Sequence, residues 1–500
     1  MDLTSTHDYA GQRVTVMGLG RFGGGVGVAR FLSRRGAQVL VTDMLSADEL
    51  ADSVSQLKGC VGVSFRLGEH CVGDFTTCDF LVVNPAVKPG NRFVQAAQDA
   101  GVRITSEIRL LVRHLPNRLK TVGITGSAGK STVTAMVGHV LEQAFGAEGL
   151  SGLNEEERFK VWVGGNIGGS LLEKVDEIGA NDWVVLELSS FMLEGLGEDR
   201  WSPHVAVVTN VSPNHLDWHG AMEVYVAAKR VLLEFQVGGD VARMGVSAYE
   251  AFDLLGEGDC DAAWNRRGEM DDCILEEFSC DGNARVLCNL PGRHNRLNAV
   301  FATAVAECVL LDHDMNVGER DCVGELIHTA LMSFSGLAHR LQFVGEWEGV
   351  RYYNDSKSTT PEAAALAIES FDPQTVRLVL GGSDKGSDLS ALARLAAGRC
   401  SGVYTLGATG DTIADAAERA ANGIKNAAVR PESCGGVAWP LPVAHVQRCG
   451  TLDAALEAIV ADVRPGENVV LSPACASWDQ FANYQVRGEA FVAWLKRRLN

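Results

Sequence analysis

Ten residues, GITGSAGKST at 123–132, leave few architectures open to this 500-residue chain. An apolar run, KTVGIT (120–125), leads into them, and a helix is expected to start near Thr132. Gly126 and Gly129 let backbone N–H groups turn towards phosphate oxygens. Lys130 can reach the outer phosphates of a nucleotide, and the Ser131 hydroxyl can ligate Mg2+. A strand, a glycine loop and a helix N-terminus in that order build an anion site from backbone dipoles. Ile124 stands where the common phosphate loop has its first glycine, so a tighter turn is expected. ATP is the ligand this points to; the rival reading is a plain Gly/Ser turn with a solvated lysine.

The same strand-then-helix rhythm recurs along the chain, in short Val/Ile/Leu-rich runs. It predicts an α/β protein with parallel sheets covered on both faces. RVTVM (13–17), QVLVTD (38–43) and FLVVNPAVKPGN (80–91), the last ending in a Pro/Gly loop, are strands of an N-terminal Rossmann-like domain, residues 1–109. KTVGIT, WVVLEL (183–188) and VAVVTN (205–210) belong to a central P-loop ATPase-type domain with a mostly parallel sheet, 110–336. VRYYN (350–354), VRLVLG (376–381), GVYTLG (402–407) and ENVVLS (467–472) belong to a C-terminal Rossmann-like domain, 337–500. Residues 146–160 and 237–285 are polar and weakly periodic and are expected to be loops or short surface elements. Residues 421–442 look like an exposed insertion.

Sixty-three acidic against 44 basic residues give a net charge of −19. That field disfavours nucleic acid and anionic membrane surfaces, and no run of apolar residues is long enough to insert in a membrane. The N-terminus lacks a basic region followed by an apolar one, and 13 cysteines occur without a C-x-x-C pair. Reduced thiols in the cytoplasm are expected.

Other motifs carry chemistry at strand ends. GLGRFG (18–23) follows a strand, and Asp43 closes the next one, in the context of a dinucleotide fingerprint. Any nucleotide diphosphate presents suitable oxygens, and glycines needed only for packing are the alternative. Glu187, beside the phosphate-loop strand, is placed to hold Mg2+. His215, Asp217 and His219 suggest a second cation, against a solvated polar loop. Lys229, among Ala227, Ala228, Val231 and Leu232, reads locally as a snorkelling helix lysine. NDSKSTTP (354–361), GGSDKGSD (381–388) and SPACASWDQF (472–481) follow three strands, and Lys357 and Lys385 point to an anionic ligand there.

Taken together, GITGSAGKST, GGNIGGS (164–170), ELSSF (187–191), NVSPNHLD (210–217), AAK (227–229), GRHNRLNA (292–299), GLAHR (336–340), NDSKSTTP and SPACASWDQF resemble the Mur ligase family over nearly the whole chain. The resemblance implies amide-bond formation driven by cleavage of ATP to ADP and phosphate, through an acyl phosphate, in cytoplasmic peptidoglycan precursor synthesis. It implies the branch that joins D-glutamate to UDP-N-acetylmuramoyl-L-alanine, working as a monomer. Gly126, Ser127, Ala128, Gly129, Lys130, Ser131 and Thr132 would cradle the phosphates, with Asn295, Arg340 and Asp355 also on ATP. Ser131, Glu187, His215 and a carbamylated Lys229 would hold Mg2+. Gly20, Arg21, Phe22, Gly23, Asp43, Asn84 and Asn166 would meet the UDP-sugar, and Thr359, Lys385, Ser477 and Tyr484 the incoming amino acid.

The chain departs from the family pattern at several points. Met192 follows ELSSF where Gln is common, Asp384 sits one place late, Arg21 and Tyr484 fill positions where other residues are more usual, and the helix GGGVGVARFL is unusually rich in glycine. The rivals are an NAD-dependent oxidoreductase, argued from GLGRFG and Asp43 alone, a non-catalytic nucleotide switch, and a family member that adds a different amino acid.

Overall fold

The computed structural model describes residues 9–20, 24–85, 87–88, 90–146, 159–253, 274–275, 288–311, 317–384, 386–428 and 444–499. Arg21, Phe22, Gly23 and Lys385 lie outside the described residues, as do parts of the stretches 146–160, 237–285 and 421–442.

Three sheets carry the described chain. The first joins β1 (Arg13–Met17), β2 (Gln38–Asp43), β3 (Val63–Leu67), β4 (Phe80–Val83) and β5 (Arg103–Thr105) in the order β3-β2-β1-β4-β5, all parallel. The second comprises β6 (Thr121–Thr125), β7 (Val161–Gly165), β8 (Trp183–Glu187), β9 (Val205–Val208), β10 (Val241–Gly245) and β11 (Ile274–Leu275), ordered β11-β10-β9-β6-β8-β7 and also parallel. The third contains β12 (Gln342–Trp347), β13 (Val350–Asn354), β14 (Val376–Gly381), β15 (Gly402–Leu406), β16 (His445–Gly450) and β17 (Asn468–Leu471), ordered β12-β13-β17-β14-β15-β16. Only β12 runs antiparallel, on β13. Central strands such as β6, β8 and β15 are buried at every position, which is why their sequences are continuous apolar runs rather than alternations.

The chain forms two compact units, Met1–Arg285 with Asn298–Ala330, and Val286–Leu297 with Leu331–Asn500. Within the first unit the first two sheets share one apolar cluster, which runs from Val14 and Phe31 through Leu171, Leu172 and Val175 to Leu186 and Tyr225. Ion pairs stitch the same contact: Arg30 to Glu173 at 3.0 Å, and Arg109 to Asp199 at 2.8 Å. Helix Gly24–Arg34 approaches the turn at Ser170 so closely that a Cβ on Gly27 would lie 2.7 Å from the Ser170 Cβ. That approach accounts for Gly27, whereas Gly25 is required because a Cβ there would press on the Gly18 and Leu19 carbonyls.

Two expectations are corrected. Short surface elements are expected within 237–285, but not buried ones: β10 pairs with β9 inside the second sheet, and Ala248 and Phe252 of helix Val246–Asp253 are buried. The segment 421–442 begins as helix, because Gly410–Ala428 continues into it.

Candidate active site

The phosphate loop spans the turn between β6 and helix Lys130–Phe145. The helix starts at Lys130 rather than near Thr132, because Gly129 takes a left-handed conformation, φ 83°, and caps it. Two glycines are required. A Cβ on Gly126, φ 151°, would stand 1.9 Å from Thr209 Oγ1, and one on Gly129 would stand 2.6 Å from Asn298 Oδ1. The end of β9 braces the loop: Ala128 N donates to Asn210 Oδ1 at 2.9 Å and Thr209 Oγ1 donates to Ala128 O at 2.6 Å. Ser127 Oγ lies 3.0 Å from Tyr225 Oη. Lys130 Nζ donates to Gly126 O at 2.9 Å, and Ser131 and Thr132 follow, half-buried, in the first helical turn.

A second lysine meets the same carbonyl. Lys229, 1% exposed, donates to Gly126 O at 2.9 Å and lies 4.6 Å from the Tyr225 ring centroid. Burial, and then the nearby Lys130 charge, pull its ammonium down to about 7. The snorkelling reading of Lys229 is therefore wrong: the side chain runs inward. Glu187 pairs with Ile124 in the adjacent strand, one residue before Thr125, and is 1% exposed. Its Oε1 accepts from Asn166 Nδ2 at 3.0 Å, while its buried Oε2 has no hydrogen-bond partner among the described residues. An orphaned buried carboxylate oxygen beside a phosphate loop suits a hard cation, and Ser131 and His215 are donors of the right kind.

His215 and His219 do not share one cluster. His215 is exposed, while the His219 side chain is fully buried and faces Glu194, Nδ1 to Oε1 at 3.2 Å; the Asp217 side chain is outside the described set. No group of three His, Cys, Asp or Glu poised for a metal occurs among the described residues.

At the C-terminal edge of the first sheet, Asp43 accepts from the amides of Leu19 at 2.9 Å, Gly20 at 3.1 Å and Leu45 at 2.9 Å. The carboxylate thus holds the glycine turn itself. Asn84, at the end of β4, lies against Gly18: a Cβ there would sit 3.1 Å from Asn84 Cβ.

In the second unit the three polar loops do converge. Gly381 N donates to Pro473 O and Ser383 N to Ala476 O, both at 2.9 Å, and Ala474 N donates to Ser358 O at 2.9 Å. Asp355, 6% exposed, accepts from Ser472 Oγ at 2.7 Å and Leu341 N at 3.0 Å. Burial pushes its carboxyl up to about 6 against those bonds and the Arg340 charge. Arg340 is exposed, Thr359 and Tyr484 are half-buried, Ser477 is buried, and Asn295 donates to Pro291 O at 2.7 Å. Ser356 Oγ donates to the Tyr484 carbonyl at 2.8 Å and accepts from Arg487 Nε at 3.0 Å. Arg487, fully buried, also donates to Ser356 O, Cys475 O and Ala476 O. No carboxylate pairs with it among the described residues, and burial pulls its guanidinium down to about 10.

Sequence reasoning passed over Tyr225, Thr209, Asn298 and Arg487. Tyr225 could have been found, because it lies four residues before Lys229 on one helix face. The others are recognisable only from contacts between distant segments.

Residues 12–106 match the Mur ligase MurD-like N-terminal domain, 124–247 the Mur ligase middle domain, and 339–475 the Mur ligase glutamate ligase domain. The chain is 36% identical to the UDP-N-acetylmuramoylalanine–D-glutamate ligase of Roseiflexus sp. (strain RS-1), over 96% of this chain and 98% of that protein. It is 35% identical to the enzyme of the same name from Acidobacterium capsulatum, over 96% and 95%. The crystal structure of UDP-N-acetylmuramate–alanine ligase MurC from Thermotoga maritima superposes with a TM-score of 0.51 at 18% identity, covering 97% of this chain and 99% of that one, a likeness of fold.

Proposed function

The chain belongs to the Mur ligase family, and on that footing we propose that it joins D-glutamate to UDP-N-acetylmuramoyl-L-alanine at the expense of ATP. The observation that carries this reading is the pair of lysines, Lys130 and Lys229, converging on Gly126 O beside the phosphate loop. The names of the relatives supply the substrates.

We assign the UDP-sugar to residues 1–109 with Asn166, the nucleotide phosphates to 110–336, and the amino acid to 337–500, with Asn295, Arg340 and Asp355 serving the nucleotide. The substrate carboxylate attacks the γ-phosphorus and ADP leaves, giving an acyl phosphate. The amine of D-glutamate then attacks the acyl carbon, loses a proton, and phosphate departs as the amide forms.

The first step sets like charges together: two unit charges at about 4 Å cost roughly 4 kcal/mol at an effective dielectric near 20. Lys130 and the loop amides offset that repulsion and hold the phosphates in line. Ser131, Glu187, His215 and Lys229 as its carbamate would hold Mg2+, which would supply further neutralisation of phosphate charge. An ammonium Lys229 could not ligate a cation. With its pKa drawn to about 7, the amine is available to add CO2, forming an N–C bond and losing a proton, and so gains two anionic oxygens. Thr359, Lys385, Ser477 and Tyr484 orient the amino acid. Cys60, Cys71, Cys78, Cys288, Cys322, Cys400, Cys449 and Cys475 are free thiols, in keeping with a cytoplasmic step.

The test is phosphate release from ATP and Mg2+ with UDP-N-acetylmuramoyl-L-alanine and a panel of amino acids. D-glutamate alone supports turnover on this reading. Release with another amino acid, or without any, contradicts it, and binding of NAD without ATP would favour the oxidoreductase.

A further inference from the structure

His215 is held in a backbone conformation that a histidine seldom adopts, φ 53° and ψ 32°. Left-handed backbone costs a non-glycine residue about 1–2 kcal/mol and persists only where the surroundings impose it. The imposing element is the single helical turn Leu216–His219: Trp218 N and His219 N both donate to His215 O at 3.0 Å. A lone turn of helix has no stability of its own, so something must pin its far end.

That pin is the His219 side chain. It is fully buried. Its Nε2 lies 3.0 Å from Ser190 Oγ, within hydrogen-bond reach, whereas its Nδ1 approaches Glu194 Oε1 at 3.2 Å outside hydrogen-bond geometry, a charge contact only when the ring is protonated. Both partners belong to helix Ser190–Glu198, which begins three residues after Glu187. The ring stacks on Phe191 at 5.4 Å and 8°, and lies 5.3 Å from the Tyr225 ring, whose hydroxyl reaches Ser127 of the phosphate loop. Phe191 also packs against the His215 ring at 5.2 Å and the Trp218 ring at 4.4 Å. Ser190, His219 and Glu194 have the constitution of a nucleophilic triad. Burial rules that use out, because Ser190 is 2% exposed and no substrate carbonyl could reach it.

We propose that His219, clamped by Ser190 and Glu194, is a positioning residue that forces His215 into its left-handed conformation and so presents the His215 imidazole to the divalent cation. This rests on the reading of His215 as a metal ligand. His219 touches neither nucleotide nor cation; it acts through the turn it closes.

The test is a Mn2+ titration of the full-length chain with ADP present, followed by electron paramagnetic resonance of free Mn2+. Loss of such a supporting contact typically weakens metal affinity about 10–100-fold. His219→Ala is expected to weaken Mn2+ in that range and raise the Mg2+ requirement of turnover, while metal-free ADP affinity stays within about twofold. Ser190→Ala removes the hydrogen-bonded tether and Glu194→Gln the facing charge; Ser190→Ala is expected to act in the same direction as His219→Ala, Glu194→Gln to a smaller extent, and Ser190→Ala decides the matter if His219→Ala does not fold. Unchanged Mn2+ affinity in the folded variants overturns the proposal, whatever their turnover. His215→Ala separates the two readings: if it leaves Mn2+ binding intact, the metal-ligand assignment fails, and if it alone weakens binding, only the positioning role fails.

Discussion

Lys229 takes its character from residues remote in sequence. Its helical neighbours Ala227, Ala228, Val231 and Leu232 suggest a lysine lying along an apolar face. The structure instead turns Nζ onto the Gly126 carbonyl and within reach of the Lys130 charge. Both burial and Lys130 favour the neutral amine, so the sign is definite. Below pH about 7 the ammonium form prevails and cannot add CO2; as pH rises through that value the amine is freed. Removing the neighbouring charge makes protonation easier. Lys130→Met is therefore expected to move the midpoint of carbamate formation to higher pH, read by 13C NMR with 13CO2. A midpoint unchanged or lowered would contradict this account of the pair. Asp43 shows the opposite limit of sequence reading. Its place at a strand end was legible, but not that its carboxylate is engaged by the amides of Leu19, Gly20 and Leu45.

Elements buried on both faces were legible almost to the residue. RVTVM and QVLVTD coincide with β1 and β2, because a strand with no solvent face needs an uninterrupted apolar run and a sharp stop. Elements stabilised mainly by what they pack on were not. β10 is five residues long, and its sequence VARMG does not follow its alternating burial; β12 is half-exposed at the antiparallel edge of its sheet, so neither leaves a strong period. The glycines of helix Gly24–Arg34 stood out in the sequence; Gly25 answers to the neighbouring Gly18–Leu19 turn, but the cause of Gly27 is tertiary. With Ser170 Cβ 2.7 Å from the place a Gly27 Cβ would occupy, the helix and the turn Leu171–Glu177 have no room to spare. Gly27→Ala is expected to destabilise the first unit by about 1–3 kcal/mol through overpacking, despite the better helix propensity of alanine. Calorimetry checks this, and a raised Tm would show that the contact is loose.

On the scale of the whole molecule, a net charge of −19 coexists with a site for polyanions. The two are compatible because the phosphate loop concentrates amides and lysines over a few ångströms, a range at which distant charges are largely screened. What the resemblance added to local patterns was the joint order of nine motifs. No single motif distinguishes a ligase from a nucleotide switch, whereas the matches at 12–106, 124–247 and 339–475 fall on each of the three sheets. In the proposed reaction ATP cleavage is coupled to amide synthesis through an acyl phosphate. The direct measurement is isotope transfer: UDP-N-acetylmuramoyl-L-alanine carrying 18O in its carboxylate is turned over with ATP and D-glutamate, and the phosphate is examined by 31P NMR. One labelled oxygen is expected in the released phosphate for each amide formed; phosphate free of label would contradict the mechanism.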